Sequence, residues 1–345
     1  MKRNIILIFG IIILLSCIYI AVELIVPLPV GSKNIEIQIP DGCTFKQAGE
    51  ILSKEGLMRD KNLFIFIGRI TGLDRRIRAG YYSITGSVNL LDIFNMFKKG
   101  QIIEYEITIL EGDSLREISE KLLGKGIIDK EEFMKLSSDE GFLSFYDIDA
   151  PTFEGYLYPD TYKIPKGTDP EEVIGMMINK MRESIPTELY ERASEIGLSE
   201  RQLLTLASII EKEAVTDRER PIISAVYHNR LKKGIKLQAD PTAIYGVKSF
   251  KEKITAKDVR RKTKYNTYVK KGLPPGPIAS PGYKSIVASA YPSDVPYLYF
   301  VSNNDGTHHF SVTAKEHEAA VKEYRKKKEM EKKLNEKNTE DDEES

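Results

Sequence analysis

IPDGCTFKQAGEILSKEGLMRDKNLF, residues 39–64, and ILEGDSLREISEKLLGKGIIDKEEFM, residues 109–134, align without a gap at a constant offset of 70 residues. Each begins with an acid and a glycine, followed by a hydroxyl residue and an apolar one. These are Asp41, Gly42, Thr44 and Phe45 in the first copy, and Glu111, Gly112, Ser114 and Leu115 in the second. Glycine suits a tight turn, and the hydroxyl suits a helix N-cap. Each copy closes on glycine and two apolar residues, Gly56-Leu57-Met58 and Gly126-Ile127-Ile128. That is the pattern of a helix C-cap feeding another element. Ahead of the first copy, Ile35, Ile37 and Ile39 alternate and predict a half-buried strand over 34–40. The repeat is therefore a strand-turn-helix module, a packing unit first. Between the copies, AGYYSI (79–84) predicts another strand and SVNLLDIFNMFKKG (87–100) a Ser-capped helix.

Working outward to the N-terminus, Ile5 to Val22 is uncharged and mostly apolar, long enough to cross a bilayer as a helix. Lys2 and Arg3 precede it, so the positive-inside rule puts residues 1–4 in the cytoplasm and the chain beyond the anchor outside. A cleaved signal peptide should be shorter and end in small residues, which this stretch does not. LLSC (14–17) faintly resembles a lipoprotein cleavage box, but apolar sequence continues past it. The reading is an uncleaved single-pass anchor over 5–26, ended by Pro27, Pro29 and Gly31 in a short linker. Of the two cysteines, Cys17 lies in the apolar run and Cys43 stands alone outside it, so no disulfide joins them in an exterior domain. Zinc spacing of the CxxC type is absent. The formal net charge is zero and no basic-aromatic stripe is present, which gives no pull toward nucleic acid.

Downstream, TFEGYLYPDTYKIPKGTDP (152–170) reads as a structured loop with short strands. Helices are expected over 171–185, on either side of Gly197 within 188–214, and over 220–234. YLYFVSNNDGTHHFSV (297–312) reads as a hairpin turning at Asn303 to Gly306. From Lys315 charge dominates. A helix can extend into this segment, but residues 323–345 are expected to form a largely disordered tail.

One helix carries chemistry. Ser199 and Gln202 form a capping-box start for LLTLASIIEKEAV (203–215). At about 100° per residue, Leu203, Leu206, Ala207, Ile210 and Ala214 share a face. Glu211 falls on one edge of it and Glu213 on the other, while Lys212 points away. A carboxyl at an apolar edge is partly desolvated, which raises its pKa toward what a general acid needs. A snorkelling glutamate at a helix border is the plainer reading, and helical geometry does not choose between the two acids. Within the next segments, Asn229, Gln238, Asp240, Thr242 and Tyr245 are polar groups amid apolar neighbours. YNTYVKKGLPPGPIASPG (265–282) adds Asn266, Tyr268 and a rigid Pro/Gly loop containing Gly276. Amides, hydroxyls and tyrosine rings suit a sugar cleft.

Taken in order, EGYLYPDTY, LASIIEKEA, NRLKKGIKLQADPTAIYG, YNTY…GLPPGPIASPG and YLYFV…HHFS…EH resemble the endolytic murein transglycosylase (MltG/YceG-like) family over roughly residues 35–320. The strand-turn-helix units look like the LysM-like modules of cell-wall proteins. The small departures are His228, where an aromatic residue is unsurprising, and Ala239, where a hydroxyl residue is expected. The resemblance implies an α+β chain: an anchor, a LysM-like region over 34–150, and a mixed α+β catalytic domain over 151–322. It implies a membrane-anchored lytic transglycosylase that cleaves β-1,4 MurNAc–GlcNAc bonds within nascent strands and forms 1,6-anhydro ends. Its partners would be peptidoglycan strands and cell-wall synthesis enzymes, with no cofactor and no metal.

Residue by residue, the resemblance assigns the catalytic acid to Glu211, with Glu213 supporting it. It places Asn229, Gln238, Asp240, Tyr245, Asn266, Tyr268 and Gly276 around the substrate. Two rival readings differ in kind. A non-catalytic peptidoglycan-binding scaffold built on the repeats leaves the motifs of 152–310 unused. A metal site from His308, His309 and His317 with Glu316 or Glu318 is disfavoured, because adjacent strand residues face opposite ways.

Overall fold

The structure is a computed structural model of the chain, and it describes residues 2–29 and 34–343. Gly31 of the expected linker lies outside the described residues. The fold is mixed α+β, and the chain divides into two compact units. One comprises Met1–Glu106 with Tyr162–Asp169; the other comprises Ile107–Thr161 with Pro170–Ser345. The division falls inside the 34–150 region, between the two copies of the repeat.

In the first unit, the helix Lys2–Ile25 opens the chain, and its stretch Arg3–Ile25 is long and apolar enough to cross a membrane. The first repeat follows as strand Ile35–Ile39, helix Phe45–Lys54, helix Lys61–Thr71 and strand Gly80–Ile84. The two strands pair antiparallel, Ile35 opposite Ile84 and Ile39 opposite Gly80. This register turns Ile37, Ile39, Tyr82 and Ile84 inward. The Thr44 side chain accepts from the Gln47 N–H and Gln47 answers at the Thr44 N–H, a complete capping box. Phe45 and Phe64 stack at 4.4 Å between centroids, and Gly68 lies directly beneath the Phe45 ring. The helix expected to be Ser-capped starts instead at Leu90 on Asn89, because Ser87 and Val88 pair with Leu28 and Pro29 as a short strand.

The second copy repeats the local design. Ser114 and Glu117 form the same capping box on helix Leu115–Gly124, and helix Lys130–Leu136 follows. The flanking strands Glu104–Thr108 and Thr161–Pro165 pair with each other. Gly42 and Gly112 both take positive φ, 69° and 81°, as do Gly56 and Gly126 at 70° and 65°. The sequence repeat is thus a structural repeat, because turn glycine and cap are local determinants.

The rest of the second unit is mainly helical: Pro170–Ser184, Thr187–Glu195, Glu200–Glu213, Arg220–Lys232 and Tyr283–Ala290 are its longer elements before the hairpin. Helix Glu200–Glu213 is central, packed by Thr187–Glu195, Arg220–Lys232 and Tyr283–Ala290. Every residue from Leu203 to Ile210 is buried, so this helix is covered on all sides rather than on one stripe. The hairpin Tyr299–Ser302 with His308–Ser311 forms as the sequence predicts. Helix Ala314–Glu343 extends into the charged C-terminal segment. Its Lys, Glu and Ala residues favour helix, and Glu323 and Lys327 pair one turn apart at 3.8 Å.

Gly68→Ala tests the packing of the first unit. The added methyl would drive into a Phe45 ring already stacked on Phe64, so a loss of about 1–3 kcal/mol is expected in denaturant unfolding.

Candidate active site

The helix Glu200–Glu213 delivers two acids from its last turn into different surroundings. Ser199 caps its start, accepting from the Gln202 N–H. Thr205 and Ser208 are buried within it: the Thr205 hydroxyl donates to the Arg201 carbonyl at 2.6 Å, and Ser208 Oγ accepts from the Ile278 N–H at 3.0 Å. That last bond fastens the Pro/Gly loop to the helix.

Glu211 is engaged at both oxygens. Its Oε1 pairs with Arg220 Nη1 at 3.0 Å, and its Oε2 accepts from the Gly282 N–H at 2.9 Å. The side chains are 6% and 9% exposed, so this is a buried ion pair. Arg220 also donates to Ser285 and to Asp217 Oδ1. A Cβ on Gly282 would collide with the Glu111 carboxyl, which explains the glycine there. Lys212, expected to point away, instead donates from Nζ to the Gly112 carbonyl at 3.1 Å. It also lies 4.3 Å from the Phe250 ring centroid.

Glu213 faces a cleft of 580 Å³ whose lining includes Tyr227, Arg230, Gln238, Asp240 and Tyr268. Burial, and after it the charge of Asp240, pushes its carboxyl up to about 8, opposed by the hydrogen bond from Tyr227. That bond is long, 3.3 Å to Oε1. Tyr268 donates to Asp240 Oδ1 at 2.6 Å across the cleft. Gln238 adopts φ 52°, held by its N–H to the Thr267 carbonyl. Arg230 is fixed by donating to the carbonyls of Leu298 and Leu237, at 2.6 and 2.7 Å.

The structure therefore brings together Glu213, Gln238, Asp240 and Tyr268 from the residues the sequence singles out. It does not bring the others to this cleft. The Asn229 amide donates to the carbonyls of Val295 and Tyr297, at 2.8 and 3.0 Å. Asn266 is fully buried and donates to the carbonyls of Asp258, Val259 and Arg261. Gly276 is buried near Pro151 and the Tyr265 hydroxyl. Tyr245 lines a different cavity, of 410 Å³, and donates to Glu154 Oε2 at 2.9 Å. Glu154 is buried, and desolvation pushes it up to about 8. Glu211 is not among the residues lining the cleft.

His308 and His317 both line this cleft, where His308 Nδ1 meets Glu219 at 2.8 Å and His317 stacks on Tyr299, while His309 is exposed. Among the described residues, no group of three or more His, Cys, Asp or Glu could hold a metal ion. Sequence reasoning missed Arg220, Arg230 and Glu154. Arg230 and Glu154 sit inside the quoted motifs, but nothing local marks an arginine or a glutamate as buried.

A sequence profile of the YceG-like family matches residues 37–323. The chain belongs to the YceG-like family. It is 31% identical over 319 residues to a protein of Bacillus subtilis (strain 168) named endolytic murein transglycosylase, an alignment covering 88% of each chain. A Streptococcus pneumoniae protein of the same name, from serotype 2 strain D39, is 29% identical over 333 residues, covering 87% of this chain and 60% of the relative. A YceG-like protein of Listeria monocytogenes, known from a crystal structure, superposes with a TM-score of 0.58 at 31% identity, covering 84% of this chain and 99% of that one.

The two acids should separate in stability measurements. Removing Arg220 strands a buried carboxylate, so Arg220→Leu should cost about 3–5 kcal/mol. Glu211→Gln should also destabilise. Glu213 behaves oppositely: its raised pKa gives stability that is full below the unfolded value of 4.5 and lost as pH rises through about 8. Glu213→Gln should thus match or exceed the parent in stability at pH 8, measured by thermal unfolding.

Proposed function

We propose that this YceG-like chain is a membrane-anchored lytic transglycosylase acting within peptidoglycan strands, with Glu213 as its general acid and base. The observation that carries the assignment is the carboxyl in the cleft: it is raised to about 8 and has Gln238, Asp240 and Tyr268 around it. A proton donor must be protonated near neutral pH and must reach its substrate. Glu211, the acid the family resemblance suggests, has its oxygens engaged by Arg220 and Gly282, which favours an anchoring role for it. The relatives named endolytic murein transglycosylase support the reaction class.

In the proposed reaction, Glu213 gives its proton to the β-1,4 glycosidic oxygen between N-acetylmuramic acid and N-acetylglucosamine. The bond from that oxygen to C1 breaks through an oxocarbenium-like state. The carboxylate then takes the proton of the sugar's own C6 hydroxyl, whose oxygen bonds to C1 and closes the 1,6-anhydro ring. The nucleophile is tethered, so one carboxyl serves both steps. Well-oriented intramolecular attack reaches effective molarities of about 10⁵ M or more. Asp240 and Tyr268 would orient the sugar, and Asp240 would also keep Glu213 protonated.

On the same reading, the apolar helix anchors the protein with its N-terminus in the cytoplasm and the catalytic unit outside, near nascent strands and the enzymes that make them. The strand-helix-helix-strand order of residues 35–84, with the outer strands paired, supports LysM-like glycan-binding units.

Glu213→Gln should lower cleavage of purified glycan strands by about 10²- to 10⁴-fold. The parent's rate should hold below pH 8 and fall above about 8, as the acid loses its proton. Mass spectrometry of the products checks the class: anhydro ends are expected, and reducing ends derived from water would overturn it.

A further inference from the structure

We infer that the outward face of helix Lys61–Thr71 lies on the bilayer surface beside the membrane helix and presents Phe66 and Ile70 to the lipid. The inference rests on the reading that helix Lys2–Ile25 sits in a membrane.

Composition and burial disagree in this helix. It reads KNLFIFIGRIT, and its apolar residues Leu63, Phe64, Ile65, Phe66, Ile67 and Ile70 surround it. A short helix apolar on every side is normally buried. Here only Phe64 and Gly68 are buried. Phe66 is 58% and Ile70 70% exposed, one turn apart on the same face. None of the described residues covers them. The helix cannot roll to hide that face, because its inner side is locked. Phe64 stacks between Phe45 at 4.4 Å and Phe94 at 5.2 Å, and Gly68 leaves no gap under Phe45. Its N-terminus is pinned by Asp60, whose carboxylate accepts from the Asn62 and Leu63 N–H groups.

Position names the occupant of that face. The Tyr19 hydroxyl, on the membrane helix, donates to Asp60 Oδ2 at 2.8 Å. Arg59 donates to the carbonyls of Val26 and Pro27, at 3.0 and 3.2 Å, where that helix ends. Leu24 packs on the same core as Phe64. Tyr19 lies three residues before Val22, the end of the apolar stretch, or about 4–5 Å along the axis at 1.5 Å per residue. That is the level of the membrane–water boundary, where tyrosine rings gather. Asp60 is therefore held at that level, and the next helix starts there. An apolar helical face at this depth buries itself among headgroups and upper acyl chains. Arg69, between the two apolar residues, is exposed and forms no ion pair among the described residues, which suits lipid phosphate. The unit would then be held at a fixed attitude to the bilayer rather than swinging on a single helix.

The chain contains no tryptophan, so single Trp substitutions are unambiguous fluorescent reporters. The full-length protein carrying Phe66→Trp, and separately Ile70→Trp, is reconstituted in phosphatidylglycerol-containing vesicles. Ile12→Trp, within the apolar helix, is the control. Lipids brominated near the headgroup and near the chain ends then act as quenchers. The expected result is strong quenching of the Phe66→Trp or Ile70→Trp variant by the shallow bromines, with a blue-shifted emission. The Ile12→Trp control should be quenched by the deep ones. A quenched control with both the Phe66→Trp and Ile70→Trp variants unquenched would overturn this inference and leave the anchor intact. An unquenched control would overturn the membrane reading itself, and this inference with it.

Discussion

The pairing of Glu211 with Arg220 is the constraint on which the second unit depends. It joins the end of one buried helix to the start of the next, nine residues on, and through the Gly282 N–H it fixes the loop before helix Tyr283–Ala290. Removing two charges from water is costly, and such a pair holds only where the remaining hydrogen-bonding capacity is met. Here it is met by Gly282, Ser285 and Asp217. Two successive helices and a loop 71 residues away are thereby positioned around one point, and the cleft lies at the end of the same helix.

Two residues further along, the same helix offers the opposite environment. Successive residues turn by about 100°, so Glu213 points roughly 200° away from Glu211. The charge in the cleft wall that acts on it most is an acid, Asp240, ahead of the opposing Arg230. One acid is neutralised by a cation and a backbone donor, while the other is pressed toward its protonated form. On the proposed reading this division lets a single helix end both hold the fold and carry the proton.

How far this was legible from sequence depends on the range of the determinant. The repeat, its capping boxes, the Ser199 cap and the hairpin turn were readable because each is set within a few residues. The different surroundings of the two acids were not, because those of Glu211 are made by Arg220 and by Gly282, the latter 71 residues away. Asn229, Asn266 and Tyr245 read as ligand groups because they are polar amid apolar residues. Buried backbone carbonyls and buried carboxyls need donors as well. The two asparagine amides serve carbonyls, and Tyr245 serves Glu154. A polar residue in an apolar run marks burial with a partner, and the sequence does not say whether that partner is substrate or protein.

The repeat shows how one local design can take two roles. In the first copy the acid-glycine turn, Asp41-Gly42, is exposed. In the second copy Gly112 is buried: its N–H donates to the Ser280 carbonyl, while Ser280 N–H donates back to Asp113, and Lys212 reaches its carbonyl. Glu111 faces Glu211 and occupies the space that a side chain at position 282 would need. The turn conformation is the same in both, since glycine at positive φ dictates it. What differs is the partner, and here it is the loop that also binds Glu211. The second module is thus part of the framework that fixes the Glu211 anchor, and a change in its turn would be felt at the helix that carries both acids.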